Sequence, residues 1–350
     1  MRFLEKDLSG YCAAVFEKVG LPPEDAQVFA GSLVGSEMRG VSSHGITRLK
    51  AYADRIRRGE INAKGKAFIA KESDSALLVD GNNGPGVVAA MDTMHFCMER
   101  AAKSGACFAA INNTSHYAAG WYFVMQASKN GMAGFAVCNA DPLVVPHGGT
   151  IPMLGTNPVS IAIPAGRNPD LVLDMATSVV AMGKVELYAK LGKEIPEGWV
   201  VDKDGQPTTN PADILKCALL PFGGPKGYGI SLLIDVICSS LSGAKNGRQI
   251  TSIFSSDDPN GYRNIGVFMG VIDISKFVDI ETFKDRVDSI YEEFKKTPPV
   301  KGVESVMLPG EIEHRNHERS RNDGIELSVP IISELRDLAK QYGILDPFAE

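Results

Sequence analysis

No two of the six cysteines stand in a C-x-x-C spacing. Cys12, Cys97, Cys107, Cys138, Cys217 and Cys238 are scattered, most of them in apolar segments such as GFAVCNA and LIDVICSSL, where a free thiol acts as a small hydrophobe. That spacing excludes a disulfide scaffold and a cysteine zinc site. H-E-x-x-H is missing, and so is the Walker phosphate loop, because the GK of VAMGKVEL is followed by Val rather than Ser or Thr. No metal is expected. No apolar run approaches the ~20 residues of a membrane span. The N-terminus, MRFLEKDLSGYCAAVFEKVG, reads as a charged amphipathic helix rather than a leader, so a cytoplasmic protein is expected. Excess charge of one sign is also lacking: 36 Lys and Arg against 42 Asp and Glu leave −6, a balance that attracts neither nucleic acid nor an anionic membrane. A small-molecule partner is the remaining expectation.

What is present is an ordinary globular mixture, 44% hydrophobic and 22% charged in 350 residues, enough for two or three domains. Residues 3–60 read as helices with turns at GLPPED and GVSSHG. From about residue 68 the pattern alternates. SALLVD is a strand, VVAAMDTMHFCMERAAKSG a helix closed by Gly105, CFAAINN a strand, GWYFVMQASKNG a helix closed by Gly131, and MAGFAVCNA a strand. The stretch DPLVVPHGGTIPMLGTNP is too rich in Pro and Gly for helix, and a loop of that length in a compact domain is usually functional. Strands VSIAIPA and LVLDMA, a helix VVAMGKVELYAKLG and a hairpin-like GWVVDKDGQPTTNP follow. The last third holds the apolar helix ISLLIDVICSSLSG, a strand NIGVFMGVID, a charged helix DIETFKDRVDSIYEEFKKT and a closing helix VPIISELRDLAKQYGI.

One run imitates a Rossmann fingerprint. Gly84-Pro85-Gly86-Val87-Val88-Ala89 is a G-x-G-x-x-A between strand and helix, but Gly81 to Asn83 intervene and the next strand ends in asparagines where a ribose-binding acid belongs, so a structural turn is expected.

Candidate chemistry gathers elsewhere. In VSSHGITRLKAY, Ser42 and Ser43 are N-cap types, and His44, Arg48 and Tyr52 fall at i, i+4 and i+8 on one helical stripe. Two readings stand: a site for a small hydroxy acid, or a solvated basic face. His116, in INNTSHYAAG just past a strand end, is a candidate general base, with His44 and His147 as rivals. His95 reads as packing, and His314 and His317 as part of a solvated charged run. Asp174, at the end of LVLDMATS, either accepts ribose hydroxyls or caps a helix. Lys226, in GGPKGYG, either pairs with a phosphate or carboxylate or is solvated.

Taken in order, SSHGITRLKAY, SHYAAGWY, DPLVVPHGG, GTNP, LDMATS, IPEGWVVDKDGQPTTNP, GGPKGYG and LPGE resemble the malate/L-lactate dehydrogenase family over nearly the whole chain. DPLVVPHGG, LLPFGGPKGYGISLLIDV and the stretch from GRQITSIF to GYRNIG are most similar to its ureidoglycolate-oxidising branch. The resemblance implies an α/β, non-Rossmann fold with a mixed sheet and flanking helices. It implies a helical region over 1–72 packed with a C-terminal helix at 325–350, a central α/β domain of 73–122 and 217–324, and a cofactor-binding region at 123–216. It implies NAD as cofactor, with NADP not excluded, and oxidation of ureidoglycolate to oxalurate. Alternatives are malate, lactate or sulfolactate oxidation, reduction of an imine or keto acid, or a binding protein without turnover. Ala140, Asp174, Met175, Ala176, Lys226, Pro309, Gly310 and Glu311 are implied to hold the cofactor, His116 and His44 to carry acid/base chemistry, and Ser43, Arg48 and Tyr52 to bind substrate. A homodimer that completes the site is implied as well.

Overall fold

The computed structural model describes residues 1–210, 217–252 and 262–348. Residues 253–261 of the GRQITSIF to GYRNIG stretch lie outside the described residues, as do Pro211 of the hairpin-like segment and the last two positions of the expected C-terminal helix region.

The chain opens with strand β1 (Arg2–Phe3) and helices α1 (Glu5–Lys18), α2 (Pro23–Met38) and α3 (Leu49–Arg57). Acidic residues in the first turns of α1 and α2, and a Pro in the first turn of α2, suit helix N-termini. Next come β2 (Phe68–Glu72), β3 (Ala76–Gly84), α4 (Gly86–Ser104), β4 (Ala106–Thr114), α5 (Trp121–Lys129), β5 (Met132–Cys138), β6 (Val159–Ile163) and β7 (Leu171–Met175). After α6 (Met182–Lys190), β8 (Val200–Val201) and β9 (Ala218–Leu219) pair as a short ribbon. The chain ends with α7 (Pro225–Ser242), β10 (Ile265–Asp273), α8 (Ile280–Lys295), α9 (Glu311–Asp323), β11 (Ile325–Glu326) and α10 (Val329–Tyr342).

Seven strands form one mixed sheet in the order β2-β3-β4-β10-β5-β6-β7. Only β3 and β4 run parallel within it; every other neighbouring pair is antiparallel. The α/β, non-Rossmann expectation is therefore met. The sheet takes β2 from 1–72, β3 and β4 from 73–122, β5 to β7 from 123–216 and β10 from 217–324, so it spans the first three of the expected boundaries. The N-terminal helices share one buried cluster with it, in which Phe16, Phe29, Leu33, Val79, Met94, Ile111 and Met269 are buried. The two ends of the chain are tied together, because β1 pairs with β11 and the Tyr11 hydroxyl donates to the Leu335 carbonyl at 2.6 Å.

Helix termini follow the sequence closely. Gly105 ends α4 at φ 88° and Gly131 follows α5 at φ 70°, the left-handed conformation glycine adopts cheaply. Two elements carry no sequence signal, and one expected helix start needs correction. The charged run at 311–323 is helix α9, held by polar contacts instead of an apolar face: Asn316 Nδ2 donates to the Arg39 carbonyl at 3.3 Å and Ser320 Oγ to the Met38 carbonyl at 3.1 Å, satisfying the open carbonyls of α2. Exposed β2 forms because β3 offers it an edge, which its own pattern does not announce. The helix expected from His44 does not form until Leu49. Two 3₁₀ turns, Ser42–His44 and Ile46–Arg48, precede it, broken by extended Gly45 at ψ −153°.

Candidate active site

Glu37, at the end of α2, organises the turns that carry His44 and Arg48. Its carboxylate accepts from Ser42 Oγ at 2.6 Å and from the Ile46 backbone N–H at 3.1 Å. A Cβ on Gly45 would sit 2.1 Å from Glu37 Oε2, so glycine lets the carboxylate reach both donors. Arg48 Nε then donates to the Ser43 carbonyl at 2.7 Å, folding the arginine back over the turn.

His116 is set by the run that imitates a Rossmann loop. The Gly86 N–H donates to Ser115 Oγ at 2.8 Å, and Ser115 Oγ donates to the Gly84 carbonyl at 3.1 Å. A Cβ on Gly86 would lie 2.2 Å from the Ser115 carbonyl oxygen and 2.6 Å from that of His116. The glycine thus brings the start of α4 against the turn bearing the histidine, the structural role expected of it. Just beyond, Ala118 is held at φ 63°, an uncommon conformation for a residue with a side chain, and its N–H points at His116 Nδ1 at 3.3 Å.

These turns meet at a cavity of 280 Å³. Ser43, His44, Arg48 and His116 line one side, with Ala140, Asp141, Asp174, Met175, Ala176 and Glu186 among its other walls. The His44 and His116 rings stack with centroids 5.7 Å apart and planes 19° apart. Burial, reinforced by Arg48, lowers the His44 pKa to about 4. Burial also pushes His116 well below its ordinary value, helped by His44, Arg263, Arg48 and Arg55. Both imidazoles are therefore neutral near pH 7. Tyr52 does not line the cavity as the stripe implied: buried in α3, it sits behind His116, its hydroxyl 2.6 Å from Nδ1.

Asp174 caps a helix, but α5 and not the one that follows it in sequence. One carboxylate oxygen accepts from the Trp121 N–H at 3.0 Å and the other from Ser160 Oγ at 2.7 Å, while burial raises its pKa against those bonds and Arg39. It also forms a wall between two spaces, since a neighbouring cavity of 370 Å³ is lined by Arg39, Trp121, Asp174, Pro309 and Gly310. Glu311 belongs to neither: its buried carboxylate takes bonds from Lys295 at 2.9 Å and Arg315 at 2.7 Å. Lys226 is exposed at the start of α7 and lies outside both cavities. His147 lies near Gly224 and likewise away from them. Ala140 is fixed by GTNP: its N–H donates to Asn157 Oδ1 at 3.1 Å, and a Cβ on Gly155 would come within 2.6 Å of its carbonyl oxygen.

The family model for malate/L-lactate dehydrogenase matches residues 4–336. The chain belongs to the malate/L-lactate dehydrogenase family. Among relatives of this family, malate dehydrogenase of Pyrococcus horikoshii is 36% identical over 96% of this chain and 94% of its own. Ureidoglycolate dehydrogenase (NAD(+)) of Escherichia coli K12 is 35% identical over 95% of each chain. The solved sulfolactate dehydrogenase of Methanocaldococcus jannaschii superposes with a TM-score of 0.91 at 34% identity, covering 98% of both chains.

Beyond the family motifs, the structure adds residues that sequence spacing did not mark. Arg263 is 2% exposed, pairs with Asp141 at 2.5 Å and donates through Nε to the Thr251 carbonyl at 2.8 Å. Its Nη1 is buried without a hydrogen-bond partner among the described residues. Nothing in NIGVFMGVID or its flank announces an arginine brought from 122 residues away to an aspartate that lines the cavity with His116.

Proposed function

We propose that this member of the malate/L-lactate dehydrogenase family oxidises ureidoglycolate to oxalurate with NAD. The observation that carries the reading is the single cavity that joins His116, His44 and Arg48 to the Ala140 and Asp174–Ala176 wall. In it His116 exchanges the proton of the substrate hydroxyl, Arg48 pairs with the carboxylate, and Ser43 and His44 orient the hydroxyl or ureido end. A planar guanidinium matches a carboxylate better than an ammonium does. The cofactor, when bound, supplies the hydride chemistry.

A dinucleotide is longer than either cavity, and the two spaces meet at Asp174 and Val41. Met175, Ala176 and Ala140 would hold one half and Pro309 and Gly310 the other. The second space offers a buried Arg39 whose Nε has no hydrogen-bond partner among the described residues, a donor suited to an anionic or hydroxylated ligand. Glu311 in this reading holds the LPGE turn instead of touching the cofactor, because its oxygens are engaged by Lys295, Arg315 and the Leu308 N–H.

Arg48→Ala is expected to raise KM for the hydroxy acid by about 10²-fold with kcat much less affected, the pattern of a lost binding contact to a desolvated carboxylate. An unchanged kcat/KM would remove Arg48 from the substrate site. A second reading, malate or sulfolactate as substrate, is favoured by the relatives acting on those acids, which match this chain as well as the ureidoglycolate enzyme does.

The same reading includes a homodimer. Ile230, Leu233, Val236 and Leu241 stand exposed on α7, apolar area a lone chain would leave in water, and exposed Lys226 opens the same helix. Leu233→Glu is expected to shift the protein from dimer to monomer in sedimentation. A wild-type protein already monomeric at micromolar concentration would refute the dimer.

A further inference from the structure

Tyr52 is fully enclosed, and its hydroxyl reaches His116. It sits 2.6 Å from His116 Nδ1, with the two rings stacked at 6.0 Å. The Ala118 N–H approaches the same nitrogen from a backbone held at φ 63°. A backbone N–H only donates, so Nδ1 is the bare nitrogen and Tyr52 donates to it as well. The proton of the neutral imidazole is therefore on Nε2, the nitrogen left for the cavity. That state suits giving a proton to a substrate oxygen; taking one from a hydroxyl requires Nε2 to be bare.

We propose that Tyr52 and His116 form a two-member proton relay, in which the Tyr52 phenol supplies and takes back the proton that His116 passes to and from the substrate oxygen. The relay rests on the dehydrogenase reading given above. In the reductive direction the Nε2 proton moves to the substrate oxygen and the Tyr52 proton moves to Nδ1, while a bound nicotinamide would supply the hydride that the substrate carbon requires. The imidazole stays neutral and a phenolate remains on Tyr52, reprotonated later from solvent. Oxidation is the reverse: the hydroxyl proton moves to Nε2, and the Nδ1 proton moves to the phenolate. Tyr52 touches no substrate and acts through His116.

Burial and nearby charge act on that phenol in opposite directions. Arg48, Arg55 and Arg263 face the phenol and favour its ionised form, while Asp141 and Glu60 pair with Arg263 and Arg55. Cys138 and, above all, burial oppose ionisation and hold the phenol above its ordinary value. Burial, helped by His44 and the same arginines, keeps His116 from becoming a cation. The proton of the pair is thus lost in alkaline solution, and it belongs to the pair, not to either residue.

The consequence is a pH profile that a histidine acting alone would not give. Lone His116, with its depressed pKa, would be bare on Nε2 or free to exchange across the whole neutral range, and oxidation would be flat above pH 7. With the relay, kcat for oxidation rises about tenfold per pH unit from neutrality into alkaline solution, while reduction is flat there and then falls. Tyr52→Phe keeps the ring against Phe29 and removes only the hydroxyl. It is expected to abolish the slope, lower kcat by about 10²-fold and leave KM nearly unchanged. Fluorotyrosine at position 52, a more acidic phenol, is expected to move the rise to lower pH, and serves if the Phe variant fails to fold.

A readout without substrate or cofactor separates the relay from the activity. Nitrogen NMR of labelled protein is expected to show His116 protonated on Nε2 at neutral pH, changing to Nδ1 on alkaline titration in step with tyrosinate absorbance. Both changes vanish in Tyr52→Phe. A wild-type protein with the proton on Nδ1 at neutral pH, or a Phe variant with the wild-type pH slope, overturns the relay. Failure of every 2-hydroxy acid to react, with the NMR result intact, overturns the proposed function and leaves the pair's coupling standing.

Discussion

Replacing His116 with Ala is expected to lower kcat for hydroxy acid oxidation by about 10²- to 10⁴-fold, the usual contribution of a positioned general acid/base. That range corresponds to about 3–5 kcal/mol of transition-state stabilisation. KM should move little, because Arg48 and the turn it closes, fixed by Glu37, stay in place. Added imidazole should recover part of the loss, since the variant leaves a space lined by Tyr52 and the Ala118 N–H where a free ring can bind. The competing candidate is His44, whose ring is stacked 5.7 Å from that of His116. Turnover near wild type in His116→Ala would transfer the proton chemistry to His44, and with it the explanation of why Tyr52 is placed where it is.

The second large effect is expected from a residue that touches no ligand. Gly86→Ala places a methyl group 2.2 Å from the Ser115 carbonyl oxygen and 2.6 Å from that of His116. Both are backbone atoms and neither can swing aside, so α4 or the His116 turn must move. Overpacking of this kind costs about 1–3 kcal/mol. The functional loss is expected to be larger than the stability loss suggests, because displacing His116 by even ~1 Å can cost about 10²-fold in rate. Gly10→Ala supplies the comparison. It lies on an exposed face of α1 with nothing within 4 Å of the added Cβ, and should hold or raise the melting temperature at full activity. A Gly86→Ala protein with wild-type kcat would show that the turn is not set by this contact.

Much of the scaffold was legible because its signals are local. The helix ends at Gly105 and Gly131 are single residues in the left-handed region, and the strands around them are short apolar runs between turn residues. The G-x-G-x-x-A run was legible as structural because the strand that follows it ends in asparagines instead of an acid, whereas the separation expected at Gly81–Asn83 does not exist: β3 runs through these residues to Gly84. Other features depend on partners distant in sequence. The periodic spacing of His44, Arg48 and Tyr52 suggested one helical stripe, yet Glu37 and an extended Gly45 break the helix, and Tyr52 ends behind His116 instead of lining the cavity with Arg48. Asp174 was legible as a cap or a ligand, but that it caps α5, 53 residues earlier, depends on sheet pairing. Helix α9 went unread because it has no apolar stripe, being held by the carbonyls at the end of α2. The Arg263–Asp141 pair is invisible for the same reason: neither residue's neighbours specify the other.

The central claim is that one cavity, with His116 and Arg48 on one side and the Asp174–Ala176 strand end on another, oxidises a 2-hydroxy acid with a nicotinamide cofactor. Its most direct test is to follow nicotinamide absorbance with purified protein, NAD or NADP, and ureidoglycolate, malate, lactate and sulfolactate in parallel. The expected result is reduction of NAD, fastest with ureidoglycolate. Preference for malate or sulfolactate would keep the chemistry and overturn the substrate, and no cofactor reduction with any of the four acids would contradict the account itself.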